Sequence, residues 1–193
     1  MLRRLYDWVM SLAATRHAER ALAAVAFVES SVFPIPPDVL LIPMVIAERR
    51  KWIRVALIAT LGSVFGAFLG YAIGAVFFDI VGRPVLAFYG AEEKFAELGA
   101  RYNDWGGWAV LIAALTPFPY KVITIFSGAT GLNLAVFTLV SIVGRGARFA
   151  VIAWLLSLFG APVRRFIERW LGLLFTLFLV LLVGGFVALR YLF

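Results

Sequence analysis

Residues 55–78 form a run of 24 residues without one charged side chain. A typical β-strand has about 5–6 residues, so the run is far too long for a strand. As a helix rising 1.5 Å per residue it spans roughly 36 Å, enough to cross a hydrocarbon core of about 30 Å. A second uncharged run occupies residues 170–189. The remainder of the chain keeps to this character: 63% of the 193 residues are hydrophobic and 15% are charged. Soluble domains are nearer 45–50% apolar and about 25% charged, so a soluble fold of this chain would expose apolar surface it could not cover. The sequence therefore predicts an all-α integral membrane protein forming a single membrane domain. Cysteine is absent and His17 is the one histidine, which excludes disulfides, thiolate metal sites and a cysteine nucleophile. No metal or other cofactor is expected. The net charge of +7 points to anionic headgroups and the cytoplasmic membrane face, not to nucleic acid.

Eight segments follow from hydropathy and charge. Residues 1–20 set Arg3, Arg4, Arg16 and Arg20 against Leu2, Leu5, Trp8, Val9 and Leu12, which predicts an amphipathic helix in the membrane interface. Residues 21–47 are apolar except for Glu29 and Asp38, and contain Pro34, Pro36, Pro37 and Pro43. A straight spanning helix does not tolerate this proline density with two carboxylates, so the segment predicts a re-entrant hairpin. A transmembrane helix is expected over 52–80 and a second interfacial helix over 84–104. Residues 105–131, broken at Pro117, Pro119 and Lys121, predict a second re-entrant hairpin. A transmembrane helix over 133–160, a basic interfacial segment over 161–169 and a last transmembrane helix over 170–191 complete the chain. Gly62, Gly66, Gly70 and Gly74 recur every four residues and form a helix-packing stripe, either within one chain or between two. Monomer and homodimer are both open.

The two broken segments superimpose at a constant offset of 83 residues: Pro34 on Pro117, Pro36 on Pro119, Val39 on Val122, Asp38 on Lys121. Each precedes a long helix. A hairpin returns to its own side and the following helix crosses once, so the second unit enters from the opposite face. The expected architecture is thus an inverted repeat of two hairpins, each followed by a transmembrane helix. With the amino terminus cytoplasmic, eleven Lys and Arg residues fall inside, four outside and three at membrane depth, in keeping with the positive-inside rule.

Those three, Lys121, Arg145 and Arg148, share the membrane interior with Glu29 and Asp38. Each such charge costs about 2.5–3.5 kcal/mol on insertion scales, so it must pair, face water or bind something. Three bases against two acids leave one positive charge over, which suits an anionic ligand. Helices that begin at a mid-membrane break also present N–H groups and a positive dipole end to that ligand. Two roles are open to the carboxylates: pairing with the bases to hold the two units together, or exchanging protons in a partly wet cleft. Arg145 and Arg148, three residues apart, either bind headgroup or snorkel to an interface. Ser30, Ser31 and Thr116 beside the breaks are expected to satisfy loose backbone groups, and His17 to lie on the surface.

The stretch F-V-E-S-S-V-F-P-I-P-P-D-V-L-L at 27–41, G-Y-A-I-G at 70–74 and T-P-F-P-Y-K-V-I-T at 116–124 together resemble the DedA family, also described as the SNARE-associated or VTT-domain family. The resemblance covers roughly residues 20–160 and is nearest to the shorter, YqaA-like branch. That family's second hairpin usually reads Arg-Phe-x-Pro-x-x-Arg. Here Thr116 stands at the first arginine position, and Lys121 serves the second one residue early, with Arg145 and Arg148 available to supply the missing guanidinium. The resemblance implies two hairpins meeting at the membrane centre and transport of lipid phosphates across the bacterial inner membrane. The favoured substrate is polyprenyl (undecaprenyl) phosphate or another anionic phospholipid, moved by a flippase or scramblase that is proton-coupled. Glu29 and Asp38 would be the proton-linked residues and Lys121 the headgroup binder, with Arg145 and Arg148 beside it. A proton-coupled small-solute exporter or ion pathway is the alternative. An enzyme is not expected, since no catalytic cluster stands at a useful spacing.

Overall fold

The computed structural model describes residues 17–32, 36–116, 119–160 and 162. The expected interfacial helix over 1–20 lies outside the described residues as far as residue 16. Pro34, Pro117, the final span over 170–191 and, apart from residue 162, the basic segment over 161–169 also lie outside them. Among the described residues the chain is helical, with no strand. In order, the elements are α1 (Ala18–Ser31), α2 (Asp38–Ala47), a 3-10 turn (Arg49–Lys51), α3 (Trp52–Phe77), a wide π turn (Phe78–Gly82), α4 (Arg83–Tyr89), α5 (Glu92–Leu115), α6 (Tyr120–Ala129) and α7 (Leu134–Gly160). Pro37 (φ −64°) and Pro119 (φ −60°) stand immediately before α2 and α6. A ring-fixed φ and a missing N–H cost nothing at the start of a helix, where that N–H has no partner.

Among the described residues, two continuous helices are long and apolar enough to cross a membrane: Arg49–Tyr89, with 41 residues, and Leu134–Gly160, with 27. The first runs past the end expected at 80. Pro84 does not stop it, because it falls in the first turn of α4 directly after the π turn, where the hydrogen-bond ladder is already widened. The stop is Gly90, at φ +61°, a left-handed conformation open to glycine at little cost. The N–H groups of Gly90 and Ala91 bond back to the carbonyls of Ala87 and Leu86. Helix α5 then runs unbroken across the boundary expected between 104 and 105. Polarity changes at that point but the backbone has no reason to: the open side of Gly106 is filled by Leu132, just ahead of α7, where a Cβ would go.

Helix α3 is the central pillar. Its glycines let two other helices approach at backbone distance: Gly62 and Gly66 face Ala23 and Phe27 of α1, while Gly70 and Gly74 face Thr124 and Ile125 of α6. Helix α7 lies antiparallel to α3, with Gly160 beside Arg49, Arg145 bonded to Ser63, and Leu132, just ahead of α7, accepting from the Tyr71 hydroxyl. Two apolar clusters result. Leu22, Leu41, Val45, Ala59 and Phe149 belong to one, and Ala67, Val110, Tyr120 and Phe137 to the other. Leu57, Leu61 and Phe65 on α3 and Leu139, Val143 and Val151 on α7 point outward and exposed, a face suited to lipid and not to water.

Candidate functional site

Between the two apolar clusters lies a belt of buried polar side chains: Ser30, Ser63, Thr124, Ser141 and Arg145. Helix α1 brings Glu29 and Ser30 into it, α3 brings Ser63, α6 brings Tyr120 and Thr124, and α7 brings Ser141, Arg145 and Arg148. Arg145 is at its centre, with 1% of its side chain exposed. Its Nε donates to Ser63 Oγ at 2.6 Å and its Nη2 donates to Glu29 Oε2. Ser30 Oγ donates to the same carboxylate oxygen at 3.0 Å and shares a 2.7 Å hydrogen bond with Ser63 Oγ. The guanidinium carbon also lies over two rings, 4.7 Å from the centroid of Tyr120 and 4.9 Å from that of Phe149, within cation–π range. Tyr120 in turn donates its phenolic proton to Ser141 Oγ at 2.6 Å.

One turn further along α7, Arg148 makes a second pair. Its Nη2 donates to Asp38 Oδ2 at 2.8 Å and its Nη1 to the carbonyl of Thr116, also at 2.8 Å. Asp38 opens α2 and Thr116 caps α5, so this arginine joins the chain ends at the two proline-rich breaks. A carboxylate in the first turn of α2 is favoured by the helix dipole. Asp38 Oδ1 is buried without a hydrogen-bond partner among the described residues.

Lys121 is placed differently. It sits in the first turn of α6, and its Nζ donates to the carbonyl of Val32, the residue that caps α1, at 3.3 Å. Among the described residues it makes no ion pair. A cation in the first turn stands at the unfavourable end of its own helix dipole. An anion at this point would meet both the ammonium and the positive end of α6.

A family model for the VTT domain matches residues 35–158.

The chain belongs to the VTT-domain, or DedA, family.

It is a membrane protein of that family. A protein of Haemophilus influenzae described as uncharacterized is 34% identical over 168 residues, covering 85% of this chain and 87% of that one. An uncharacterized homologue in Histophilus somni is 32% identical over the same length and coverage. No solved structure matches.

In this DedA-family chain, then, four of the five charges expected at membrane depth meet in two pairs, Glu29 with Arg145 and Asp38 with Arg148. Lys121 remains the cation over. Of the break prolines, Pro37 is buried and Pro36 and Pro119 are partly buried. Ser30 bonds to the carboxylate beside it, Ser31 donates to the Phe27 carbonyl at 2.9 Å, and Thr116 acts through its backbone oxygen. Sequence reasoning missed Ser63, Tyr120 and Phe149. Ser63 interrupts an apolar, glycine-marked helix, which was a usable hint. Tyr120 and Phe149 look like ordinary apolar residues until helix rotation turns them toward Arg145. No group of three histidine, aspartate or glutamate side chains converges among the described residues.

Proposed function

We propose that this protein carries an anionic lipid headgroup, foremost polyprenyl (undecaprenyl) phosphate, across the bacterial inner membrane through the polar belt while the lipid tail stays in the bilayer. It works as a flippase or scramblase, without chemistry on the substrate. The observation that carries this reading is Lys121: a cation beside the second break, at the start of α6, with no ion-pair partner among the described residues. A phosphate there would remove the uncompensated charge and accept from the helix start. The hairpin reading supplies the path. In it, α1 with α2 and α5 with α6 enter from opposite faces as an inverted pair, the amino terminus is cytoplasmic, and the two breaks meet at the depth of Arg145 and Arg148. Glu29 and Asp38 link transport to protons. Asp38 Oδ1, buried without a hydrogen-bond partner among the described residues, supports a role for this carboxylate beyond its pair with Arg148.

The test is mass spectrometry of lipid copurifying with the gently extracted protein. Enrichment of a lipid phosphate over its membrane abundance, lost in Lys121→Ala, is the expected result. Equal lipid profiles for wild type and Lys121→Ala would sink the reading. Proton flux without any lipid requirement would favour a small-solute exporter or ion pathway using the same carboxylates.

A further inference from the structure

The two arginines of α7 are three residues apart and both paired, yet their surroundings differ. Arg145 is enclosed: Ser63 accepts from Nε, Glu29 accepts from Nη2, the Tyr120 and Phe149 ring centroids lie 4.7 and 4.9 Å from its guanidinium carbon, and 1% of the side chain is exposed. A ligand reaching it would have to dismantle a buried ion pair and displace the rings packed on it. Arg148 is 18% exposed and its carboxylate partner 20%. One of its two described contacts is to a neutral acceptor, the carbonyl of Thr116 at the edge of the second break.

We infer that Arg148, and not Arg145, is the second cation that meets the anionic headgroup, through the Nη1 edge that the Thr116 carbonyl occupies. The inference rests on the lipid-headgroup reading above and names the residue that completes its site. A charge-assisted hydrogen bond is roughly twice as strong as one to a neutral acceptor, so a phosphate oxygen outcompetes a carbonyl for a guanidinium N–H. The guanidinium fork has room for both partners, keeping Asp38 on Nη2 while taking the phosphate on Nη1, so no carboxylate is stranded. Lys121 and Arg148 then flank the same break, one from the start of α6 and one from α7. Two cations and one carboxylate leave a single positive charge for the anion. The exchange also frees the Thr116 carbonyl at the end of α5. Arg145, through Ser63 and Glu29, ties α7 to α3 and α1.

The experiment uses the full chain in dodecyl maltoside micelles, titrated with dodecyl phosphate and, separately, with inorganic phosphate, following intrinsic tryptophan fluorescence. Melting temperatures without added phosphate accompany each variant. Arg148→Lys keeps a charge but has no fork, and about tenfold weaker binding is expected from it, as from Lys121→Ala. Arg148→Gln should bind more weakly still. Arg101→Gln, in an exposed pair with Glu97 on α5, should bind like the wild type. Arg145→Lys should lower the melting temperature by more than Arg148→Lys does. This ranking seen with dodecyl phosphate alone identifies a lipid headgroup as the source, and seen with both probes it identifies the phosphate group itself. Both results support the assignment. Wild-type affinity in Arg148→Lys and Arg148→Gln, with binding lost in Lys121→Ala, would overturn the role of Arg148 and leave the anion site standing. Wild-type affinity in all three, or no binding by the wild type, would overturn both. A larger melting-temperature loss in Arg148→Lys than in Arg145→Lys would overturn the division between the two arginines.

Discussion

Water offers Arg145 little compensation if Glu29 or Ser63 is taken away, because 1% of its side chain is exposed. Breaking a buried pair by removing one member typically costs about 3–5 kcal/mol. Glu29 would be the stranded member in Arg145→Met, and a loss of that size is expected in detergent-titration unfolding. Ser63→Ala removes the acceptor of the Nε–H and the hydrogen-bond partner of Ser30, and should cost about 1–3 kcal/mol in the same measurement. At this scale the sequence was legible as far as cost. Five charges in apolar surroundings stood out because each is expensive there. Who meets whom did not follow from it. Glu29 and Arg145 are 116 positions apart and Asp38 and Arg148 are 110 apart, so their meeting depends on how each helix is rotated, which packing decides and no local pattern records.

Helix α3 works as a pillar because its glycine stripe admits neighbours at backbone distance. A Cβ on Gly66 would overlap the carbonyl oxygen and carbon of Phe27. Backbone cannot swing aside as a side chain can, so Gly66→Ala must push α1 away from α3 and drag Glu29 and Ser30 from the belt. A loss of about 3 kcal/mol, at the upper end of typical overpacking costs, is expected. Gly107→Ala on α5 is the comparison: its Cβ would meet only side chains, Val136 at 3.3 Å and Val140 at 3.8 Å, and unfolding should shift by less than about 1 kcal/mol. The four-residue glycine period was plain in the sequence, whereas the helices it serves were not. Element ends were harder to read. The sequence suggests a stop near 80 on polarity, while the chain continues to a glycine at φ +61°. It suggests a break near 104, where α5 is unbroken and its Gly106 and Gly107 are covered by Leu132 and by Val136 of α7.

For the whole molecule, a helix of 41 residues running from Arg49 to Tyr89 is roughly 60 Å long, so its ends emerge on opposite faces of any bilayer it crosses. The chain has no cysteine, which makes single-cysteine labelling clean. Arg50→Cys is expected to react with a membrane-impermeant maleimide only from the cytoplasmic side, and Glu97→Cys, near the other end, only from outside. Reaction of both from one side would refute the orientation drawn from the basic residues. The membrane class and all-helical fold were legible from composition and from one uncharged run. The polar belt was not, because it exists only where four helices meet. Lys121, which makes no ion pair among the described residues, leads to the most direct test: transport of a fluorescent phosphatidic acid across proteoliposomes, read by dithionite quenching from outside. Wild type and Lys121→Arg should expose inner-leaflet lipid to quenching, and Lys121→Ala should leave it protected; wild-type transport by Lys121→Ala would contradict the account.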